Sequence, residues 1–459
     1  MKKHTLFMVY LVLFEAIALM PCLSSPIAIL IIIINLIVGI RDKKSLDLAI
    51  ISSFLLPSEV FAMFNLLLMS LLKNTNRLKF HYKRPKAIFI LAFLVVIVNS
   101  FISSIVYDTE INLLFYLIYL LTILATTLLL TDKLDIGDMV YGIKVFLCIE
   151  FVIVITIALK NLTFIPGDIF CGTMSSAHWF GNWLIVSLVV ILFHNGINHP
   201  TGICWKNVKK NIPYLLILLI MLYLSDSKSL IVALAIGSLG YIIFEHKGIM
   251  KYSFMFYFIL FYVGLFIVIS LLYLPPIENY IKDKSDLLNT YLYTSGWNGK
   301  FEYIRGTLLE ELRGIRLLTG FGLGQYGSRV ANLFAYTVMW RADNGINNLI
   351  SSLFAPHYLP QFARYISFYD YDFVAQIGWR SAVLSYPFNS VTAFIAEIGL
   401  IGVAFFSYII SICLKKSDCK ILGYYFLAAC FFDLYFDSYQ CLALIILVLF
   451  NTRKKETYI

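Results

Sequence analysis

The sequence predicts an all-α polytopic membrane protein of about 12–14 transmembrane helices with one large extracytoplasmic loop carrying short helices. Three observations carry that expectation. Apolar residues make up 60% of the 459 and charged residues only 14%, with a mean hydropathy of +0.83, far from the balance of a water-soluble chain. Runs of roughly 18 or more apolar residues recur from end to end, among them AIFILAFLVVIVNSFISSIV from Ala87 and SFMFYFILFYVGLFIVISLLYL from Ser253. One long polar stretch interrupts them, dividing the chain into N-terminal helices (1–274), a loop (275–390) and C-terminal helices (391–459).

The first apolar run follows Lys2 and Lys3 as a signal peptide would, but Glu15 lies inside it and Met20-Pro21 precedes Cys22. A first spanning helix is therefore expected in place of a cleaved leader. The eight cysteines are scattered, with no C-x-x-C pair, so neither a metal site nor a disulfide framework is indicated. The formal charge of +9 comes from cations interleaved with apolar segments, which is positive-inside bias and not a nucleic-acid surface.

Short basic segments at 41–44, 73–86, 205–210, 245–251, 414–420 and 453–455 must share the cytoplasmic side. Between the first two, and between the last two, lie segments long for one crossing and short for two. Pro57-Ser58-Glu59 and Asp437-Ser438 interrupt them near their middles, so each is expected to form a short helical hairpin. Both termini are then cytoplasmic, and the loop lies outside between helices at 252–274 and 391–412.

Within that loop, LLTGFGLGQYG contains Gly322-Leu323-Gly324-Gln325-Tyr326-Gly327, the G-x-G-x-x-G spacing that cradles dinucleotide pyrophosphates after a strand. Here it follows a helical pattern, on a face where no nucleotide pool is expected, and G-K-[ST] is absent. A glycine-rich turn after a helix is the plainer reading. Upstream, Phe301, Ile304, Leu308, Leu312 and Ile315 recur at steps of three and four, predicting one amphipathic helix on the membrane surface. On such a helix Arg305 and Arg316 are about 20° apart and Arg313 about 80° away. The three arginines either pair with Glu302, Glu310 and Glu311 on a solvated face or bind an anion, for which the planar guanidinium suits phosphate.

Other ionisable residues gather at the same membrane face. Asp226 and Lys228 stand at an outer turn between helices, while His178 and Asn182 open another helix. Gly172, Ser175, Ser176 and Ala177 beside them permit close approach of a ligand or of a neighbouring helix. Farther along the loop, His357, Arg364, Asp370 and Asp372 lie among aromatics that suit either sugar rings or an interfacial belt. Glu15, Glu59, Lys144, Glu150, Glu397 and Asp433 fall inside apolar runs and need partners on other helices or in water; Glu397, nearest the loop, is the best functional candidate among them.

Three pieces now stand in order: SDSKSL at an outer turn, GKFEYIRGTLLEELRGIRLLTGFGLGQYG in the loop, and YPFNSVTAFIAEIGLIGVAFF leading back into the membrane. Together they resemble the O-antigen polymerase and ligase superfamily, multi-helix membrane glycosyltransferases of the bacterial inner membrane with one large periplasmic loop. The resemblance covers roughly 165–412 by motif and the whole chain by hydropathy. It implies transfer of a glycan from undecaprenyl pyrophosphate at the periplasmic face, without nucleotide sugar, cofactor or metal. Its implied partners are lipid-linked glycans, membrane lipids, a chain-length regulator and a flippase. On this reading Lys228, Lys300, Arg305, Arg313 and Arg316 meet the pyrophosphate, with Asn389 and Glu397 also on the substrate, and His357, Asp226 and His178 are candidate bases. Family members commonly read Ser-Arg where this chain has Ser227-Lys228, Arg at Lys300, and His-Asn where Phe388-Asn389 stands. Loss of that histidine favours a polymerase over a ligase. A flippase or transporter shares the helices and cations, but no internal repeat is visible and flipping needs no loop of this size.

Overall fold

The computed structural model describes residues 3–42, 45–74, 87–106, 110–130, 134, 136–167, 169–174, 176–193, 205–225, 227–245, 300–326, 390–417, 419–432 and 439–451. The described residues are all-helical, with no strand among them. The helices are α1 (Lys3–Leu19), α2 (Ser24–Arg41), α3 (Leu46–Ser53), α4 (Glu59–Lys73), α5 (Ala87–Val106), α6 (Glu110–Leu130), α7 (Ile136–Lys160) and α8 (Ala177–Phe193). After them come α9 (Trp205–Leu224), α10 (Lys228–Glu245), α11 (Lys300–Arg305), α12 (Ile315–Thr319), α13 (Ser390–Lys416), α14 (Lys420–Phe432) and α15 (Tyr439–Asn451).

Among the described residues, three helical stretches are long and apolar enough to cross a membrane: Pro21–Arg41, Gly137–Lys160 and Ser390–Tyr408. Helix α5 shows what surrounds them. Its exposed side chains include Leu91, Leu94, Val98, Phe101, Ile102 and Ile105, whereas Ser100 and Ser104 are buried. That inverts a water-soluble helix and is the arrangement expected where lipid is the solvent.

The interruption at 54–58 makes a hairpin of α3 and α4, closed at its open end by an ion pair of Lys73 with Asp47. At about 12 Å, α3 is too short to cross a bilayer, and the tip of the hairpin is buried in the protein. There Phe54 O and Leu56 O accept from Gln440 Nε2 (3.2 and 2.7 Å), which carries the start of α15 onto the hairpin tip. Leu55 O accepts from Thr173 Oγ1 at 2.8 Å. The carbonyls of Phe54, Leu55 and Leu56, left over by the break, thus each find a side-chain donor from elsewhere in the protein. The segment 205–210, expected as a loop, forms the first turns of α9.

Two expectations fail in the loop's described part. The surface helix expected at 301–315 is not continuous: α11 passes into a π-helical turn at Gly306–Glu311, Leu312 leaves helical geometry (ψ 78°), and Gly314 adopts φ 60° before α12 begins. Arg305 and Arg316 therefore do not share a helix face. Tyr303, Thr307 and Leu312 are buried and Ile315 is exposed, so the apolar stripe is broken too. Nor is α13 one regular helix, since Gly399 has φ 61° and ψ −173° inside it.

Most helices share one core, running through α1–α4, α6–α10, α14 and α15. Residues 300–326 lie outside it, in two smaller clusters with α5, α6 and α13: Tyr303, Leu312, Phe321, Tyr326 and Ala396 in one, Val96, Leu113, Tyr116, Leu323 and Ile398 in the other.

Candidate functional site

The break in α13 is where the glycine run docks. Freed from helical pairing, Ala396 O and Glu397 O accept from Phe321 N–H and Gly322 N–H, each at 2.8 Å. Gly320 (φ 74°, ψ −171°) and Gly399 occupy a backbone region open only to glycine. A Cβ on Gly320 would lie 2.3 Å from Glu397 O, and one on Gly399 would lie 2.4 Å from Leu318 O, so the two backbones cross with no room for side chains. From the other flank, Asn99 Nδ2 on α5 donates to Thr319 O (3.0 Å) and Gly320 O (3.2 Å), and Ser100 Oγ accepts from Leu323 N–H (2.9 Å).

The Glu397 carboxylate closes this clamp. Its Oε2 accepts from Gly324 N–H at 2.8 Å and its Oε1 from Tyr326 N–H at 3.1 Å, with the residue 1% exposed. Successive loop N–H groups turned to one side make an anion-binding concavity, and here the anion is the chain's own. The described glycines of this run have physical roles without a nucleotide: Gly320 lets the backbone lie against α13, a Cβ on Gly322 would come 3.0 Å from Ser100 Cα on α5, and Gly324 aims its amide at a carboxylate. Glu397, expected to contact substrate, spends both oxygens on the loop. It lies about 10 Å along α13 from Ser390, so the turn sits between helices and not on the surface.

This anchored segment carries three arginines. Arg305 pairs with Glu310 at 3.7 Å, both side chains well exposed. Arg316 lies over the Phe321 ring, 4.9 Å from its centroid. Arg313 is exposed, with Nε donating to Leu309 O at 3.3 Å. One arginine thus lies on a carboxylate of its own segment, as a solvated face would have it, and Arg313 is exposed.

A second group forms on the main core. Ser225 Oγ and Ser227 Oγ are 2.9 Å apart, and Ser227 Oγ donates to Ala177 O at 3.2 Å. The turn carrying Asp226 and Lys228 is thereby fastened one residue from His178. A Cβ on Gly181 would meet Ser227 Oγ at 2.1 Å, so glycine makes this contact possible. His178 Nδ1 is buried and makes no hydrogen bond among the described residues. Asn182 is committed to structure, accepting from Tyr425 Oη at 2.9 Å. At Gly172 (φ 60°) the close neighbour is protein: Glu150 Oε2 would lie 2.2 Å from a Cβ and accepts from Thr173 N–H (3.1 Å), while Glu150 Oε1 lies 2.6 Å from Thr173 Oγ1.

The other ionisable residues in apolar runs also have partners on other helices. Lys144 Nζ donates to Asn211 Oδ1 at 2.7 Å. Glu15 Oε1 accepts from Thr156 Oγ1 and Glu59 Oε2 from Tyr119 Oη, each at 3.4 Å. The backbones of Lys228 and Lys300 open α10 and α11. Asp226, His357, Arg364, Asp370, Asp372, Asn389 and Asp433, the glycine at 327 and the helix expected at 252–274 lie outside the described residues.

The arginine segment and the Lys228–His178 turn belong to separate packing clusters, so no shared core joins them. Residues that the sequence reading passed over are Asn99 and Ser100, whose signal is a polar pair in an apolar run, and Gln440, beside the expected hairpin turn. No known protein family, curated protein or solved structure matches the chain.

Proposed function

We propose that the chain is an O-antigen polymerase, a multi-pass protein of the bacterial inner membrane with about 12–14 spans and the loop 275–390 in the periplasm. It joins undecaprenyl-pyrophosphate-linked repeat units into polysaccharide, with a flippase supplying the units and a chain-length regulator setting their number. The observation that carries the reading is the anchoring of an arginine-bearing segment between apolar helices α5 and α13, with Arg313 left exposed. Cleaving the bond between sugar and pyrophosphate leaves a diphosphate whose developing charge needs fixed cations, while one base takes the acceptor hydroxyl proton. Arg313 and Arg305 serve the diphosphate, with Lys228 and Lys300 as point charges. His178, Asp226 or His357 is the base, and His178 has its place beside the Lys228 turn.

In a strain with full-length lipopolysaccharide, deleting the gene should leave core bearing a single repeat unit. Bare core with accumulated lipid-linked polymer would assign the chain to ligation. Arg313→Ala is expected to lower polymer formation by about 100-fold, the scale for removing one donor to a developing anion, at unchanged protein level. Normal ladders from that variant would remove Arg313 from the diphosphate site.

A further inference from the structure

The proposed chemistry leaves one completely buried carboxyl unused. Glu150 lies about 15 Å before the end of α7, at a depth where two non-helical segments meet beside it. The hairpin tip arrives through Leu55, and residues 169–174 arrive through Gly172 and Thr173. The Thr173 hydroxyl bridges them: its Oγ1 lies 2.8 Å from Leu55 O and 2.6 Å from Glu150 Oε1. Glu150 Oε2 accepts from Thr173 N–H at 3.1 Å, and the Gly172 backbone closes against that same oxygen.

These contacts fix where the protons are. A threonine hydroxyl has one proton to give, and two oxygens stand within hydrogen-bond distance of this one. Leu55 O, at the buried hairpin tip, can only accept, and Thr173 is its one donor among the described residues. A carbonyl left bare inside apolar protein is costly, so the Thr173 proton goes to Leu55 O. The proton of the 2.6 Å contact then comes from the carboxyl. An ionised Glu150 would instead need a counter-charge, and it forms no ion pair among the described residues. On its own helix, Lys144 is about 240° around and bonded to Asn211, and Cys148 is about 160° around. On the helices packed against α7, Asp47 pairs with Lys73, Tyr10 donates to Asn35 and Glu15 accepts from Thr156. Tyr214 lies beneath Lys144, Lys209 and Lys210 are exposed, and His178 Nδ1 makes no hydrogen bond among the described residues. The Cys171 thiol is directed at Ile169 O, 3.9 Å away.

We propose that Glu150 is a proton-binding site, carrying a proton on Oε1 and donating it to Thr173 Oγ1, so that this proton fastens α7, residues 169–174 and the hairpin tip together. The chain of donation runs from Glu150 Oε1–H to Thr173 Oγ1–H to Leu55 O. Loss of the carboxyl proton to bulk water turns the Thr173 hydroxyl onto the carboxylate and strips Leu55 O of its donor. Glu397 makes the contrast, since both its partners are backbone N–H groups and both its oxygens accept. The site is independent of the polymer-joining reading, because Glu150 has no part in holding the diphosphate or in taking the acceptor proton.

Infrared difference spectroscopy between wild-type protein and Glu150→Gln, both full-length in detergent at neutral pH, tests it. Wild type should contribute the C=O stretching band of an undissociated carboxyl that the variant lacks. Carboxylate bands in its place would overturn the proposal. Thermal unfolding gives a second reading. Glu150→Gln should keep the wild-type midpoint, because its NH2 donates to Thr173 Oγ1 and its Oε1 accepts from Thr173 N–H, whereas Glu397→Gln should lose stability. Glu150→Leu and Thr173→Val, which break the chain of donation, should each lower the midpoint. A Glu150→Gln protein that fails to fold, or unfolds as readily as Glu150→Leu, would contradict the bound proton.

Discussion

Glu397, expected to contact substrate, has both carboxylate oxygens on backbone amides of the loop. A carboxylate in an apolar run needs partners, and that cost marked it in the sequence. Its partners are two backbone amides more than seventy residues earlier, and no local pattern announces such a contact. Removing it leaves the buried N–H groups of Gly324 and Tyr326 unpaired, at about 1–3 kcal/mol each. Glu397→Ala should therefore lower the thermal midpoint of the purified protein and open the 320–326 turn to protease. Glu397→Gln should also lower it, because its NH2 confronts an amide that needs an acceptor. An unchanged midpoint with lost polymer would return Glu397 to substrate contact.

At the scale of elements, helix positions were legible because apolar run length and the Pro57 and Asp437 interruptions report them locally. Breaks within helices were not. Gly399 reads as one more small residue in an apolar helix, and apolar spacing at 301, 304, 308, 312 and 315 fits a straight helix until Gly314 turns the chain. Glycine's packing role is just as hidden in α10. A Cβ on Gly237 would lie 2.5 Å from the backbone of Tyr425 on α14, whereas one on Gly240 would lie 3.5 Å from a Tyr424 ring carbon, an ordinary contact. Gly237→Ala must force α10 and α14 apart, at about 1–3 kcal/mol. Gly240→Ala should be neutral or slightly stabilising, since alanine favours helix by about 1 kcal/mol. Thermal unfolding of the two variants side by side checks the difference; equal midpoints would mean the helices adjust freely.

For the whole molecule, the structure is a main bundle with a lateral unit of α5, α13 and residues 300–326 joined to it through α6 and α14. The lateral unit presents the arginines, and the bundle presents the Lys228–His178 turn. The proposed sugar transfer requires both to open to the same side of the membrane. A single cysteine replacing Arg313 in a cysteine-free chain, treated with a membrane-impermeant maleimide, reads that side directly. Labelling in cells whose inner membrane is intact is the expected result. Labelling only after that membrane is permeabilised would put the arginines in the cytosol and contradict the assignment of this segment to a lipid-linked diphosphate.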